Sequence, residues 1–470
     1  MKKVYLFLLI LGIIIRFVIQ FVFPAFNGDE ISVGNNIKHS GFIELLYPLK
    51  FGQSAPPLFL WLQKFFIEIL SFSFWINIKV LSFISSILGI ILFYVFIKRN
   101  SFSPIFLLLF IILLFNPFII NNSLTVKQYT IDLTGIIFLI VWFKTKNFKK
   151  YNWAFFLVWS LISNIGLFAC CGYLIYDLFS QRSLRNFNAF FDFVKKNALT
   201  ILAPVPYVVY FFWFMNQEGA VELQAYMVKY WSSSFIPLDS SIFKYLLYTI
   251  HGLWIYIFNA FEIWGIFMMI LMLSFFLFSN KKQFMFREEI LLLFCIVIVH
   301  LILNIFHMYP FSDRLYLYIA PFLVLILGSS IATISDFGVI KKHFQKVYVL
   351  ISVVTLFLYS LYMSGNDNNV YMLYEKLNNL NAKEIYATEK SIETIDSFNE
   401  FTDNKFVINK KMVLLDSKLN ESNYIVSRVS KKIKMNLTSS EELEIQDLIN
   451  SKKIKKIDSV NGYNIYEIKR

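Results

Sequence analysis

The chain opens with MKKVYLFLLILGIIIRFVIQFVFPAFNGDE, residues 1–30, in which a long apolar run separates two lysines from two carboxylates. The run covers about residues 4–23, which is long enough to cross a bilayer as an α-helix. It is too long for the h-region of a usual signal peptide, and no small-x-small cleavage site follows it. It therefore predicts a first membrane helix with its lysines in the cytoplasm and Asp29 and Glu30 outside. We expect Arg16, a lone charge within the run, to face the interior of the helix bundle.

The whole chain has the composition of a membrane protein. Of its 470 residues, 57% are hydrophobic and 16% are charged, and the mean hydropathy is +0.59. Soluble domains carry roughly a quarter charged residues, so this chain is too apolar to be one. The formal net charge of +13 arises largely from basic clusters between apolar runs, which favours the positive-inside rule over nucleic-acid binding. Cys170, Cys171 and Cys295 lie inside apolar runs and show no spacing of a disulfide framework or a zinc site.

The apolar runs and the basic clusters together predict the topology. We expect a bundle of about eleven membrane spans, at about residues 4–23, 77–97, 102–121, 129–143, 152–167, 169–180, 198–214, 254–279, 290–306, 315–335 and 347–363. Strict alternation through these spans places the basic clusters on the cytoplasmic side. The clusters are Lys98-Arg99, Lys144 to Lys150, Arg182 to Lys196, Lys281 to Arg287 and Lys341 to Lys346.

Two apolar stretches do not fit a simple count of membrane spans. Residues 56–70 are apolar, but Lys64 and Glu68 interrupt them, and a full span there would invert every later loop. They predict an interfacial or re-entrant helix that starts at the second of two prolines. Residues 152–180 form either one long helix or two short ones broken near Asn164, and only two helices preserve the charge pattern. The outer loops are then about residues 24–76, 122–128, 215–253 and 307–314.

The composition changes after Ser364, which divides the chain into a membrane domain, residues 1–363, and a terminal domain, residues 364–470. Asn, Asp, Glu and Lys become frequent, and the apolar runs shrink to strand length. Helical patterns, Leu373 to Leu380 and Glu441 to Ile449, accompany these runs and predict a small α/β domain outside the membrane. The predicted strands are Glu384 to Ala387, Lys405 to Ile408, Tyr424 to Val426 and Tyr463 to Tyr466.

The residues that could carry chemistry lie at the outer ends of the predicted spans. Asp29 and Glu30 follow the first helix directly, where a carboxylate held near a hydroxyl can act as a general base; two solvated loop acids are the plain alternative. Lys127 and Arg314 are cations on the outer side, where the positive-inside rule disfavours them. Both are suited to an anionic partner such as phosphate, although Lys127 could instead snorkel to headgroups and Arg314 could pair with Asp313.

The order of these features resembles one family. The pattern is similar to that of the GT-C glycosyltransferases. It consists of Asp-Glu after the first helix, Pro-Pro-Leu late in the first loop, Lys-x-Tyr-x-x-Asp at the next outer loop and Tyr-Pro-Phe-x-x-Arg late in the bundle. The closer likeness is to the family 39 type, a group that includes protein O-mannosyltransferases and lipid A aminoarabinose transferases. The resemblance implies a GT-C bundle and a sugar donor linked to polyprenyl phosphate. It spans nearly the whole chain in architecture, but its motifs cover only some forty residues.

The resemblance also implies roles for particular residues. Asp29 becomes the base that deprotonates the acceptor, with Glu30 as its catalytic neighbour, and Lys127 and Arg314 become the ligands of the donor phosphate. The chain departs from the family pattern before Pro-Pro, where it has Gln53-Ser54-Ala55 in place of His or Glu-Lys. That departure weakens a phosphate or metal role for the stretch. The supporting residues are Gln53, Tyr129, Asp132 and Tyr309.

The function that we expect is an inverting transfer of a sugar from polyprenyl phosphate to an acceptor on the outer face of the cytoplasmic membrane. A transporter or flippase of lipid-linked glycans would use the same outer cations without needing Asp29, and a glycan polymerase is a third option. The sequence indicates no metal site and leaves the cofactor unknown, a divalent cation being one option. The sugar and the acceptor, whether glycan, lipid or protein, are also unknown, and the expected partners are the donor and the membrane lipids.

Overall fold

The structure of the chain is a computed structural model. It describes residues 2–22, 28–50, 52–100, 104–181, 187–239, 241–258 and 286–335 of the bundle, and shorter pieces beyond, at 376–377, 380, 384–387, 407–409, 424–428, 448–451, 454–460 and 463–468. The predicted span at 347–363, the predicted domain boundary near residue 363 and most of the predicted span at 254–279 lie outside these ranges.

The described part of the bundle consists mainly of helices. Its helices are α1 (Lys2–Phe17), α2 (Gly28–His39), α3 (Pro57–Ile69), α4 (Phe74–Arg99), α5 (Pro104–Phe115), α6 (Pro117–Ser123), α7 (Tyr129–Trp142), α8 (Lys146–Ile162), α9 (Asn164–Ser180), α10 (Phe187–Lys196), α11 (Ala198–Leu202), α12 (Val205–Met215), α13 (Ala220–Tyr230), α14 (Ile242–Phe258), α15 (Arg287–Ile305) and α16 (Ala320–Ser335). A π-helical turn, Val18–Val22, extends α1, and short 3₁₀ segments occur at Glu44–Leu46, Ser232–Ser234 and Asp313–Ile319.

Several of these helices are suited to a membrane. Within the described residues, four are long and apolar enough to span a bilayer, at Lys2–Phe21, Ile76–Arg99, Ala198–Met215 and Arg287–Ile305. Shorter apolar helices lie at Tyr129–Trp142, Asn164–Ser180 and Leu317–Ser329. The predicted polytopic helical fold is therefore confirmed.

The predicted span at 102–121 is interrupted by Pro117. Proline has no N–H, so it cannot satisfy the carbonyl of Leu113 four residues earlier. Arg16 donates to that carbonyl (3.4 Å) and to the carbonyl of Leu114 (2.9 Å), and Asn116 caps the new helix by accepting the N–H of Ile119 (3.0 Å). Arg16 is 1% exposed, which confirms that this charge faces the bundle interior. The Arg16 side chain thus satisfies carbonyls that are left free at the break, and two helices, α5 and α6, replace the one predicted span.

The stretch at 152–180 forms two helices, as predicted from the charge pattern. Ser163 separates α8 from α9 and caps α9 by accepting the N–H of Ile165 (3.0 Å). The two helices meet at Gly166, where a Cβ atom would lie 2.4 Å from the backbone carbon of Trp159. A larger residue at this position would push the two helices apart.

The outer loops are more helical than expected. The predicted loop 24–76 contains α2 and α3, and α3 starts at Pro57, the predicted proline. The predicted loop 215–253 contains α13 and the first turns of α14. α3 agrees with the helix predicted at residues 56–70. The segments of α2 and α13 were predicted as loops because their apolar residues are mixed with polar ones, a pattern that does not identify a short helix.

Two of the basic clusters, Lys98-Arg99 and Lys144 to Lys150, lie close to the start of α15 at one end of the bundle, which we name the basic end. Lys144, just after α7, forms ion pairs of 3.0 Å with both Glu288 and Glu289 in the first turn of α15. Arg99, at the end of α4, donates to the carbonyl of Val141 near the end of α7 (2.7 Å). These contacts bring the ends of α4 and α7 together with the start of α15, which begins at Arg287, the last residue of a third predicted cluster. The opposite end is named the site end below.

Residues beyond the bundle form a five-stranded sheet. Its strands are β1 (Glu384–Ala387), β2 (Val407–Asn409), β3 (Tyr424–Arg428), β4 (Ile454–Val460) and β5 (Tyr463–Ile468), in the order β2-β1-β3-β5-β4. β1 is parallel to β2 and β3, whereas β5 is antiparallel to β3 and β4. All four predicted strands are present. β4 was missed because its sequence, Ile-Lys-Lys-Ile-Asp-Ser-Val, is dominated by charged and polar residues.

Two buried residues from the part of the chain that forms the sheet pack in one cluster with residues of α2. Ile465 of β5 is fully buried, and Leu377 is 1% exposed. Both belong to one buried cluster with Ile31 and Val33 of α2 and with Val126, which precedes α7. The cluster therefore joins the terminal residues to the two segments that carry Asp29 and Lys127.

Candidate functional site

A cavity of about 600 Å³ lies at the site end of the bundle. Three charged residues line it: Asp29 from the first turn of α2, Lys127 from the segment before α7, and Arg314 from the 3₁₀ segment before α16. Gln53, Tyr129 and Tyr309 line the same cavity. The fold thus brings together six of the eight residues that sequence reasoning selected for the site.

Asp29 and Arg314 form an ion pair in the cavity, with the guanidinium Nη2 donating to the carboxylate Oδ2. The Arg314 guanidinium also lies over the ring of Tyr129, 5.7 Å from its centroid. Burial disfavours the charge of Arg314, but Tyr129 and Asp29 offset that effect and leave the pKa of Arg314 above its ordinary value. Arg314 is therefore held as a cation between an aromatic face and a carboxylate.

Lys127 is 7% exposed and donates from its Nζ to Oε1 of Gln53 (2.6 Å). Burial lowers the pKa of Lys127 to about 8, against the opposing effect of Asp29. Gln53 reaches Lys127 from a turn in which Gly52 has a φ of +61°, and a Cβ atom there would lie 2.9 Å from the ring of Tyr226. Gly52 is thus required both for its backbone conformation and for its lack of a side chain.

Glu30 lies behind the cavity wall, unlike Asp29. Successive residues of an α-helix point about 100° apart, so two adjacent carboxylates in α2 cannot face one spot. Glu30 is 3% exposed and accepts the N–H of Val126 (2.8 Å), next to Lys127. It also attracts the buried ammonium of Lys79 on α4. Glu30 is thus the neighbour of Asp29 in sequence, but only Asp29 of the pair lines the cavity.

Asp132 also lies outside the cavity lining. It is 3% exposed and accepts a hydrogen bond from Ser163 at the junction of α8 and α9. Its contact joins α7 to this junction, which is a packing function rather than a contact with ligand. Tyr309, in contrast, lines the cavity and packs edge-on against Phe168, with ring centroids 5.1 Å apart.

Much of the cavity wall is aromatic and was not identified as part of a site from the sequence. α12 contributes Tyr207 and Tyr210, and Tyr207 donates its hydroxyl to Asn164 at the start of α9. Trp231 and Phe235, from the predicted outer loop 215–253, also line the cavity. Aromatic clusters in the predicted outer loop were the available signal, but membrane-interface anchoring explains such residues equally well.

Part of the lining is both apolar and exposed at the protein surface. Phe212 on α12 is 64% exposed, Phe306 and Met308 after α15 are 69% and 55% exposed, and Tyr230 on α13 is 59% exposed. All four line the cavity. The cavity is therefore continuous with an apolar surface of the kind that contacts lipid.

The charges of the lining leave a small positive excess. Among the described residues that line the cavity, Lys127 and Arg314 supply two cations and Asp29 supplies one carboxylate. Such a cavity fits a ligand that carries one negative charge together with an apolar part. Over the described ranges, no three His, Cys, Asp or Glu side chains are grouped so that they could hold a metal ion.

Comparisons with known proteins find similarity in structure. No family model and no curated protein sequence matches the chain. The crystal structure of ArnT from Cupriavidus metallidurans bound to undecaprenyl phosphate aligns with 99% of this chain and 97% of its own, at 10% identity and a TM-score of 0.51. The crystal structure of the Archaeoglobus fulgidus oligosaccharyltransferase in complex with Zn and sulfate aligns with 90% of this chain and 68% of its own, at 13% identity and a TM-score of 0.45. The alignment with ArnT over nearly the whole of both chains shows that this chain shares the fold of that structure, a polytopic helical membrane fold.

Proposed function

We propose that this protein transfers a sugar from a polyprenyl-phosphate donor to an acceptor hydroxyl, with inversion at the anomeric carbon. The observation that carries the proposal is the convergence of Asp29, Lys127 and Arg314 on one cavity, from segments separated by up to 285 residues. A general base and two phosphate ligands are the groups that this reaction needs. The GT-C fold is in agreement with this function.

The cavity favours a donor with a single phosphate. A phosphodiester between a sugar and a lipid carries one negative charge, which the excess positive charge of the lining balances. The exposed apolar part of the lining, which includes Phe212 and Phe306, is suited to the lipid chain. The ArnT structure contains undecaprenyl phosphate by its own description, which supports a polyprenyl phosphate as the partner here.

The reaction follows from these positions. Asp29 takes the proton of the acceptor hydroxyl while the acceptor oxygen forms a bond to the anomeric carbon. The bond between that carbon and the phosphate oxygen breaks on the opposite face, which inverts the configuration. Polyprenyl phosphate leaves with one additional negative charge, which Lys127 and Arg314 stabilise. Such charge stabilisation is strongest in a site that excludes water.

The remaining residues of the site act on these three. Glu30 is proposed as a positioning residue, since it holds the backbone next to Lys127. Gln53 orients the Lys127 ammonium, and Tyr129 orients the Arg314 guanidinium. Asp132 and Tyr309 support the surrounding helices. The site end is proposed to face outward, because the basic clusters at the other end favour the cytoplasm.

The test is transfer by the purified protein in nanodiscs. It is supplied with polyprenyl-phosphate hexoses and pools of glycan, lipid and peptide acceptors, and products are found by intact mass. Asp29→Asn should lower turnover about 10²–10⁴-fold, whereas Asp239→Asn, a carboxylate exposed outside the cavity, should not.

A flippase or transporter would give the opposite result in that system. Translocation of a fluorescent polyprenyl-phosphate hexose across proteoliposomes, without any transfer product and without dependence on Asp29, would replace the enzyme proposal. Near-parental transfer by Asp29→Asn would remove Asp29 as the base.

A further inference from the structure

Asn304, in the last turn of α15, holds two separate backbone segments through one side chain. It is fully buried. Its Oδ1 accepts the N–H of Ile236 (2.8 Å), and its Nδ2 donates to the carbonyls of Ser234 (2.9 Å) and Tyr309 (3.0 Å). A primary amide offers one acceptor and two donors, and all three functions are used here. The partners also fix the orientation of the amide, because a flip would place a donor against the N–H of Ile236.

The two segments are joined to each other as well. The N–H of Phe311 donates to the carbonyl of Ser234 (3.0 Å), and the hydroxyl of Tyr245 on α14 donates to the same carbonyl (2.9 Å). The segments 234–236 and 309–311 therefore form one backbone unit. Asn304 lies beneath this unit and is bonded to both of its halves.

His300, one turn earlier on α15, holds the same region from a second point. Its ring is fully buried, with Nε2 3.1 Å from the carbonyl of Pro310 and Nδ1 2.7 Å from the hydroxyl of Tyr318. A carbonyl can only accept, so Nε2 carries the proton and Nδ1 accepts from Tyr318. Pro310 and Tyr318 flank Arg314 in sequence. The segment that carries Arg314 is thus fixed on both sides by one histidine.

We propose that Asn304 and His300 are positioning residues that set Arg314 and the adjoining aromatic wall for the donor phosphate, an inference that rests on the proposed function. Both backbone segments contribute to the cavity, one through Phe235 and the other through Tyr309 and Pro310. Arg314, which also lines the cavity, follows the second segment by three residues. Their five side-chain hydrogen bonds all lie behind the wall. A side chain that binds phosphate needs such support, because a displacement of that side chain by about 1 Å is enough to impair catalysis.

The experiment compares Asn304→Ala with Asn152→Ala. Asn152 on α8 is also a buried helical asparagine, and it accepts a hydrogen bond from Thr200 (2.7 Å) rather than holding a cavity segment. The readouts for the full-length protein in nanodiscs are thermal stability, affinity for undecaprenyl phosphate, and kcat and KM for the donor. Both variants should lose stability, but only Asn304→Ala should weaken binding of undecaprenyl phosphate at least tenfold and raise the donor KM, with the acceptor KM unchanged.

His300→Phe provides a second variant if Asn304→Ala fails to fold. It keeps a buried ring but loses both hydrogen bonds, and it should reproduce the loss of donor affinity. Hydrogen exchange of the amides of residues 309–316 should also quicken in both site variants and not in Asn152→Ala. Equal effects of the Asn304 and Asn152 variants on donor affinity, or unchanged exchange at 309–316, would overturn the proposal. Absence of transfer by the parent protein would count against the proposed function instead, because the exchange experiment needs no ligand.

Discussion

Asp29 and Arg314 form an ion pair although they are 285 residues apart in the chain. The proposed general base and the proposed phosphate ligand are therefore in direct contact. The donor phosphate and the Asp29 carboxylate compete for the same guanidinium. Substitutions of Asp29 and Arg314 should therefore change donor binding in a way that substitutions of a purely structural ion pair would not.

Asp29→Asn should bind undecaprenyl phosphate more tightly than the parent protein while losing turnover. The substitution keeps the shape of the side chain, removes one negative charge from the cavity and releases Arg314 for the phosphate. A partly exposed ion pair contributes up to about 1 kcal/mol, which corresponds to a gain in affinity of roughly threefold to fivefold. Binding is measured by titration in nanodiscs. Weaker binding would show that Asp29 holds Arg314 in place instead of competing for it.

Arg314→Lys should weaken donor binding at least tenfold even though the charge is kept. Lysine loses the planar fork that contacts phosphate at two points and the stacking on Tyr129. Arg99→Lys is the matched control, because Arg99 also donates to an oxygen and lies over an aromatic ring, that of Trp142 at 5.1 Å, at the basic end. A similar loss of donor affinity in both variants would contradict the role of Arg314.

Donor binding should weaken as the pH rises above about 8. Lys127 has a pKa of about 8 because burial disfavours its charge, and a bound phosphate raises that pKa. The complex then binds more protons than the free protein above pH 8, so the affinity is constant below this pH and falls above it. A phosphodiester donor does not titrate between pH 7 and 10. Lys127→Arg should give a flat profile over this range, and an equally steep profile in that variant would rule out Lys127 as the titrating group.

Ile465→Ala should reduce turnover, whereas Ile468→Ala should not. Both residues are buried in β5, and truncation of a buried isoleucine costs about 2–5 kcal/mol. Ile465 packs in the cluster that includes Ile31 of α2, but Ile468 packs with Ile454 on the other face of the sheet. Stability and turnover are measured together. Equal turnover in the two variants at equal stability would mean that the sheet does not support α2.

The site end should be accessible from outside the cell and the basic end from the cytoplasm. Single cysteines at Lys98 and at Glu218, both exposed, are introduced into a cysteine-free background. An impermeant maleimide should label position 218 in intact cells and label position 98 only after lysis. Labelling of position 98 in intact cells would invert the topology and place the cavity on the inner side.

The sequence by itself determined the features that depend on local composition. Apolar runs of about 20 residues predict membrane helices, and the basic clusters between them predict which helix ends face the cytoplasm. The interior position of Arg16 follows from the cost of a charge in contact with lipid. Four of the five described strands after residue 364 were also identified locally, because short apolar runs bounded by polar residues are typical of strands.

Only the tertiary structure showed that α2 is a helix and that its two carboxylates diverge. The segment GDEISVGNNIKH contains two glycines and two asparagines, which are poor helix formers, and it is stabilised by burial of Ile31, Val33 and Ile37. The same burial turns Glu30 inward and leaves Asp29 in the cavity. The meeting of Asp29, Lys127 and Arg314, and their support by Asn304 and His300, likewise depend on contacts between distant segments. Local patterns carry no information on such contacts, because they are decided by how the helices pack.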